Sequence, residues 1–314
     1  CSLTKFVPEG EYLLNKANVK VEDTKEVLSE DLRSYLQQKQ NTEILGFWKL
    51  QLGIYNTASK DTTKWTSRNA RKIGEPPVIY SPELAFRSMH QLQQAMQNRG
   101  YFQAEVDTTI EIRNRKLNIT YHVKGNSPYN IRRYTVNFPN EELQSIAANE
   151  RAKVVREGDR FDVDVLNQER QRVAKTMRNH GCYYFSENVI QFLADSTRGR
   201  GQVDVTMCLQ DYVNDMPSED FARLFRHYKI AKVHIHMDYD VNRVPEGMVV
   251  HRSEQDGYEI TWVGDKLLRE DVLIKHCPIK PGEEYSEYLV EEAYSNLNRL
   301  SPVKYVDISF ESTS

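Results

Sequence analysis

Alternating apolar and polar positions predict β-strands along much of this chain, with helical stripes between them. The alternation is clearest in two pairs of segments, residues 105–113 with 116–123 and residues 188–194 with 202–209. A polar turn joins the members of each pair, which predicts a hairpin. Upstream of the second hairpin, apolar residues such as Val173 and Met177 recur at helical spacing and predict a helix with one apolar face.

The same succession of helix, stop and strand occurs three times, in residues 91–112, 172–193 and 292–310. Glycine is expected to end the first two helices, because it adopts the left-handed conformation that follows a helix. Aromatic residues follow both glycines, whereas the third copy has Ser-Pro instead. A second glycine lies upstream of each helix and is followed within a few residues by an aromatic side chain. The glycines and aromatics of these shared motifs are Gly74, Gly100, Tyr101, Phe102, Gly158, Phe161, Gly181, Gly282 and Tyr285.

A strand and a short helix precede each copy, which predicts an α+β fold of three tandem units with the order β-α-α-β-β. The strands are expected at residues 12–21, 129–138 and 229–241, and Ser29 is expected to cap the first short helix. The predicted units span residues 1–125 with an insertion at 41–72, residues 126–216, and residues 217–314 with a hairpin insertion at 239–264. Four residues follow the predicted strand 304–310, so we expect the third unit to lack its last strand and the chain to continue into a longer protein.

Charge and composition exclude several classes of protein. The 314 residues carry 42 Lys and Arg against 45 Asp and Glu, a net charge of −3. A nucleic-acid-binding protein would need a basic excess for its phosphate contacts, so no nucleic-acid partner is predicted. Apolar runs fall short of the roughly 18 residues of a membrane-spanning helix. The four cysteines are too few and too scattered for a disulfide scaffold or a zinc site.

Candidate catalytic chemistry is weak. His234, His236, Asp238 and Asp240 would share one face of a strand and could bind a metal ion, but a half-buried strand explains the same alternation. Cys182 near His180 is better explained as a cysteine packed at a helix end. The sequence has no phosphate-binding loop and no nucleophile motif. We therefore predict no enzyme, no cofactor and no metal, and keep a metal-dependent enzyme on the histidine face as an alternative.

The insertion at residues 41–72 combines apolar and aromatic residues, Trp48 and Trp65 among them, with several lysines and arginines. One interpretation is an additional helix packed on the core of the first unit. Another is a segment that lies on a membrane surface, since basic, Trp-bearing amphipathic segments bind there. Both interpretations hold if one face packs and the basic end stays exposed.

The glycine and aromatic motifs, in three ordered copies, resemble POTRA domains, the polypeptide-transport-associated modules of outer-membrane assembly proteins. With Cys1 at the start, the chain is most similar to the POTRA region of the BamA/TamA superfamily, in particular to the lipoprotein form of TamA in Bacteroidetes. The resemblance implies a periplasmic protein tethered to the outer membrane by a barrel beyond residue 314 and by lipid on Cys1.

The resemblance further implies that the second strand of each unit is an exposed sheet edge that captures a partner strand by β-augmentation. The implied partners are unfolded outer-membrane proteins or a TamB-like protein, and the alternative is the POTRA scaffold of a dedicated secretion system. The candidate edge residues are Glu105, Val106, Asp107, Thr108, Thr109, Asn188, Val189, Ile190, Gln191, Phe192, Lys304, Tyr305, Val306, Asp307 and Ile308.

Overall fold

The computed structural model describes residues 3–44, 48–59, 65–139, 141–149, 152–197, 199–209, 222–237, 249–301 and 303–313. Cys1, the proposed lipid attachment site, lies outside these ranges. The strands are β1 Leu13–Val21, β2 Glu105–Arg113, β3 Lys116–Lys124, β4 Asn130–Asn137, β5 Ile190–Asp195, β6 Gln202–Leu209, β7 Val233–Met237, β8 Val250–Gln255 and β9 Tyr258–Val263. The helices are α1 Ser29–Leu32, α2 Leu50–Thr57, α3 Trp65–Ile73, α4 Pro82–Asn98, α5 Glu141–Ala147, α6 Val163–Asn179, α7 Glu270–His276 and α8 Glu287–Asn298.

These elements form three small mixed sheets of three strands each, with the strand orders β1-β3-β2, β4-β6-β5 and β7-β9-β8. The predicted α+β fold of three tandem units, each with a small three-stranded mixed sheet, is therefore confirmed. By packing, the chain separates into two compact bodies. One is Cys1–Arg133 with Glu157–Val165 and Asp195–Asp204, and the other is Tyr134–Arg156 with Leu166–Ala194 and Val205–Ser314.

The first sheet follows the predicted chain order. β3 is its central strand, parallel to β1 and antiparallel to β2. Alternate residues of β3, such as Leu117 and Tyr121, are buried in a core that also contains Leu92 and Met96 of α4. The helices therefore cover one face of the sheet, and the intervening residues of β3 lie on the other face.

The first short helix is shorter than residues 29–39, which the sequence predicts as helical. It ends at Leu32 and continues only as a 3-10 turn over Arg33–Tyr35. Ser29 is not its cap, because Leu28 occupies that position. The Ser29 hydroxyl instead accepts a hydrogen bond from the backbone N–H of Val21 at 3.1 Å, so it serves the end of β1.

The insertion forms two helices, α2 and α3, rather than one. Leu52 of α2 is fully buried against Val7 and Leu13, which confirms that part of the insertion packs on the first unit. Lys49, just before α2, is also buried, and its ammonium group donates to the backbone carbonyl of Asn15 and pairs with Glu43 at 3.6 Å.

Backbone hydrogen bonds show which motif residues are equivalent in the three units. Tyr80, Phe161 and Tyr285 each donate their N–H to a tyrosine carbonyl before the first strand of the unit. Three residues before the last two aromatics, Gly158 and Gly282 have φ of +93° and +86°. The position three residues before Tyr80 is a proline, so the predicted equivalence of Gly74 to these glycines is wrong. Gly74 follows α3, where its N–H donates to Ala70, and a Cβ there would collide with the backbone of Tyr55.

The predicted helix stops are confirmed at Gly100 and Gly181, with φ of +87° and +85°. The Gly100 carbonyl accepts the N–H of Tyr129 at 2.8 Å, and a Cβ at Gly100 would lie 2.5 Å from the carbonyl oxygen of Phe161. The Tyr101 side chain is buried, whereas the Phe102 ring packs on Tyr129 and Phe161 at centroid distances of 4.8 and 5.0 Å. Glycine is needed here both for its backbone conformation and for this close approach.

In the second unit, α6 buries a stripe that includes Leu166, Val173 and Met177, as the helical spacing predicts. Glu169 lies on the same buried side and forms an ion pair with Arg172 at 2.8 Å. The predicted strand 188–194 begins two residues later, because Asn188 and Val189 belong to a 3-10 turn.

The third sheet is built in a different chain order. The segment interpreted as a hairpin insertion contains β8 and β9, and these supply two of its three strands before either helix. The predicted strand over residues 304–310 is wrong. Lys304, Tyr305, Val306, Asp307 and Ile308 are in irregular backbone, and the Ile308 N–H donates to the Tyr294 hydroxyl at 2.9 Å.

Candidate peptide-binding edge

Strand β2 is one of the two outer strands of the first sheet and pairs with β3 over all nine of its residues. The two strands are joined by Asn114 and Arg115, whose φ values are +52° and +60°. Two left-handed central residues define the type I′ turn, whose twist matches that of the flanking strands. The register of β2 is therefore set by the turn, with Arg113 opposite Lys116.

This register determines which backbone groups of β2 face outward. In a two-residue hairpin the residues that flank the turn exchange both backbone hydrogen bonds, and such pairs recur at every second residue. Arg113, Glu111, Thr109, Asp107 and Glu105 consequently face β3. The residues between them turn their N–H and carbonyl groups away from the sheet; they are Val106, Thr108, Ile110 and Ile112.

A hydrogen bond within β2 supports the assignment. The N–H of Thr108 donates to the carboxylate of Asp107 at 2.7 Å, so it does not point at β3. The N–H groups of Val106, Ile110 and Ile112 have no acceptor within the described part of the chain. The edge thus presents three unoccupied donors and one that a flexible side chain occupies.

The side chains of these outward residues lie on the helix-bearing face of the sheet, where Val106 packs against the core. The side chains of Ile110 and Ile112 are 43% and 52% exposed, respectively. A cavity of about 690 Å³ adjoins the start of the strand and is lined by residues that include Gln93, Phe102 and Glu105. An added strand would therefore gain backbone hydrogen bonds and apolar contacts on the same side.

The opposite edge of the sheet, formed by β1, is covered by the chain itself. The N–H of Leu14 donates to the carbonyl of Val78 at 2.8 Å. The side chain of Gln40 accepts the N–H of Ala17 at 2.9 Å, and Ser29 accepts that of Val21. Within the described residues, β2 is the edge of the first sheet that stays open over its whole length.

The other two predicted edges differ from the first. In the second sheet β5 is an outer strand, but it has six residues and begins at Ile190, which is buried. Gln191 is exposed, and the ring of Phe192 lies under the guanidinium group of Arg170 at 5.5 Å. In the third sheet the outer strand is β8, which our interpretation of residues 239–264 as an insertion missed. The Asp256-Gly257 pair that joins β8 to β9 was the available signal, since Asp-Gly favours a two-residue hairpin.

The described residues offer little catalytic chemistry. No group of three His, Cys, Asp or Glu residues converges there as a metal site. His234 pairs with Glu259 at 3.4 Å, whereas Asp238 and Asp240 lie outside the described ranges. Burial raises the pKa of the Cys182 thiol to about 11, which disfavours the reactive thiolate. The thiol donates to the backbone carbonyl of Phe225 at 3.9 Å, and the His180 ring bonds to the Thr176 carbonyl at 2.8 Å.

In the described segments, no helix is both long enough and apolar enough to cross a bilayer.

The strand orders and the glycine-ended helices define a class of α+β modules, and a comparison with protein families gives that class a name. Residues 16–125 match the POTRA family, described as the surface antigen variable number repeat. The first sheet, with the β2 edge, thus lies in the part of the chain that matches the POTRA family model. No curated protein sequence matches the chain.

Several solved structures resemble the chain. One is the structure of POTRA domains 3–5 of Haemophilus influenzae BamA, at 13% identity and a TM-score of 0.40. The alignment includes 96% of this chain and 91% of the BamA chain. The chain covers 92% of the N-terminal domain of Omp85 from Thermosynechococcus elongatus with 97% of its length, at 13% identity and a TM-score of 0.27. It covers 29% of Haemophilus ducreyi BamA lacking POTRA domains 1–3 with 63% of its length, at 13% identity and a TM-score of 0.33. These TM-scores are low, so we base the fold class on the strand order and the family match.

Proposed function

We propose that this chain is a non-enzymatic, periplasmic protein-binding region of an outer-membrane protein assembly or translocation machine of the BamA/Omp85 kind. It captures an extended segment of a client or partner protein by β-augmentation at strand β2. The client is an unfolded outer-membrane protein or the strand-rich end of a TamB-like partner. Residues 1–125, 126–216 and 217–314 form its three units.

The observation that carries the proposal is the open edge of β2. Its unoccupied N–H groups alternate with residues that bond to β3, so an incoming strand finds the hydrogen-bond spacing of a sheet. Backbone pairing makes few demands on side-chain sequence, which suits a receptor for many different clients. The exposed Ile110 and Ile112 add apolar contact with alternate side chains of the client.

A peptide of alternating apolar and polar residues tests this function, because transmembrane β-strands have that pattern over about ten residues. On titration of the peptide into the isotopically labelled chain, we expect the largest amide shifts in β2. Amide exchange should slow at Val106, Ile110 and Ile112, whereas Glu105, Thr109 and Glu111 already bond to β3. Shifts confined to another surface would contradict the proposal.

A proline at an outward position provides the mutational test. Ile110→Pro removes one outward N–H without removing a bond to β3, and edge strands tolerate proline at such positions. We expect peptide affinity to fall by about tenfold, the value of roughly one hydrogen bond in a desolvated site. Ile110→Ala is the matched control, since it loses the same side chain but keeps the N–H. Equal affinities of the two variants would refute backbone pairing at this edge.

A further inference from the structure

The insertion helix α3 presents an exposed stripe that the packing of the first unit does not use. Trp65, Arg68, Lys72 and Ile73 are spaced three, four and one residues apart, which places them along one side of a helix. All four are exposed, and the side chains of Trp65 and Ile73 are 69% and 67% accessible. Trp65 and Ile73 therefore place apolar area on the same exposed side of the helix as the two cations.

The packed side of the same helix accounts for its other residues. Ser67 is buried, and its hydroxyl accepts the N–H of Ser59 at 3.0 Å. Arg71 turns toward the body, where it donates to the Ser59 carbonyl at 3.2 Å and lies over the ring of Phe6 at 5.3 Å. The contacts of Ser67 and Arg71 fix the orientation of α3. The exposed stripe therefore lies on a different side of the helix from the packed residues.

Charge is distributed unevenly around this stripe. Helix α3 contains three basic residues and no acidic residue. Residues 49–73 hold six lysines and arginines and one aspartate, although the chain as a whole has a net charge of −3. Glu75, which follows the helix, is engaged elsewhere, because its carboxylate accepts the N–H of Thr42 at 2.9 Å. The stripe therefore combines positive charge with apolar side chains inside an acidic protein.

We propose that this stripe binds the surface of a bilayer that contains anionic phospholipids. Trp favours the membrane–water interface, where its apolar ring is buried and its indole N–H stays hydrated. Arg68 and Lys72 reach the phosphates with their charged ends while their methylene chains contact the acyl boundary. The exposed Trp48 and Leu50 near the start of α2 add apolar area in the same insertion. This surface lies outside strand β2 and does not depend on the proposed peptide binding.

Co-sedimentation with vesicles tests the proposal. We expect the chain to bind equimolar phosphatidylcholine and phosphatidylglycerol, and not phosphatidylcholine alone. Added salt should weaken binding, because it screens exposed charges. Arg68→Gln with Lys72→Gln should reduce binding by about tenfold or more, since each cation near an anionic surface contributes about fivefold. Trp65→Ser should also reduce binding.

The matched control is Arg33→Gln with Arg87→Gln, which removes two exposed cations that pair with Glu30 and Glu83. It should leave vesicle binding unchanged. All substituted side chains are exposed, so unchanged thermal unfolding would show that the variants fold. The proposal is overturned if the wild-type chain binds neither vesicle, as expected of a face for a protein partner, or if both double variants bind equally. Peptide binding at β2 should remain unchanged in every variant, which separates this test from that of the proposed function.

Discussion

Strands β2 and β8 are both outer strands antiparallel to a central strand, yet they present different surfaces to a partner. The outward backbone groups of β2 belong to residues whose side chains face the helices, and Ile110 and Ile112 are apolar. In β8 the type I′ turn pairs Gln255 with Tyr258, so the outward groups belong to Val250, Arg252 and Glu254.

The side chains of these β8 residues point away from the helical core, because the core residues Tyr258 and Ile260 lie opposite Gln255 and Ser253. Arg252 pairs with Glu254 at 2.8 Å and with Glu259 at 2.7 Å. Charged side chains along an outer strand discourage the addition of further strands. The same sheet topology therefore gives an open edge in one unit and a protected edge in another.

The largest expected effect is a difference in stability between proline substitutions at the β3-bonded and at the outward positions of β2. Thr109→Pro removes a bond to β3 and leaves the carbonyl of the opposite residue, Thr120, unpaired, so we expect the free energy of unfolding to fall by about 3 kcal/mol. Ile110→Pro should cost well under half of that. Urea unfolding of both variants measures the difference, and equal losses would show that the assignment of outward residues is wrong.

The next largest effect is a difference between the two hairpin turns in how much an alanine substitution destabilises the chain. Gly257 has φ of +80°, and a Cβ there would lie 3.3 Å from Pro281. Gly257→Ala should destabilise the chain by about 1–2 kcal/mol, the cost of a left-handed conformation for a residue with a Cβ. Asn114→Ala should cost less than 1 kcal/mol, because asparagine already carries a Cβ in that conformation. A larger loss for Asn114→Ala in thermal unfolding would contradict this order.

Conversion of β2 to the character of β8 tests what makes an edge accessible. Ile110→Arg with Ile112→Glu places charges beside the outward backbone groups. We expect peptide affinity to fall by about tenfold, while stability changes by about 0.5 kcal/mol because both sites are half exposed. Isothermal titration with the same strand peptide measures the change. An unchanged affinity would show that apolar contact contributes nothing to the site.

The smallest expected effect is a difference in acid sensitivity between the third and first sheets. Burial lowers the pKa of His236 below its ordinary 6.5, and repulsion from His234 lowers it further. Attraction to Glu259 raises this pKa, but by less. The unfolded chain then binds this proton more readily, so the stabilisation from neutral His236 is present above pH 6.5 and is lost as the pH falls through the lowered pKa. In the first sheet, the hydrogen bond with His122 lowers the pKa of Glu22 below 4.5, so that stabilisation is lost only in stronger acid.

Urea unfolding of His236→Gln and Glu22→Gln at a series of pH values measures these two windows. The difference from the wild-type chain should change below pH 6.5 for His236→Gln and below pH 4.5 for Glu22→Gln. A common window for both variants would contradict the assignment of the two groups.

The sequence predicted the elements that local chemistry controls. β2 and β6 have the predicted bounds, since period-two alternation is strong there and a turn flanks each strand. Gly100 and Gly181 end their helices as expected, because few other residues tolerate positive φ. Ser29 and Gly74 were misassigned, since several residues near a helix end can serve a cap or a turn and only packing selects among them.

The third unit shows where sequence reasoning failed. Residues 304–310 alternate like β2 and follow a helix as β2 does, so the pattern alone predicts a strand. Whether an alternating segment becomes a strand depends on a partner with unpaired backbone groups. In the third sheet β7 and β8 occupy both sides of β9, and Ile308 contacts Tyr294 instead.

By itself, the sequence determined the fold class, the repeated modules, the hairpin turns and the absence of a recognisable catalytic motif, because each depends on residues close together in the chain. Only the tertiary structure decided which sheet edges are open and which side of α3 remains exposed. These properties depend on register and on packing between distant segments. A shift of one residue in pairing would exchange the open and bonded groups of β2 without any change in composition.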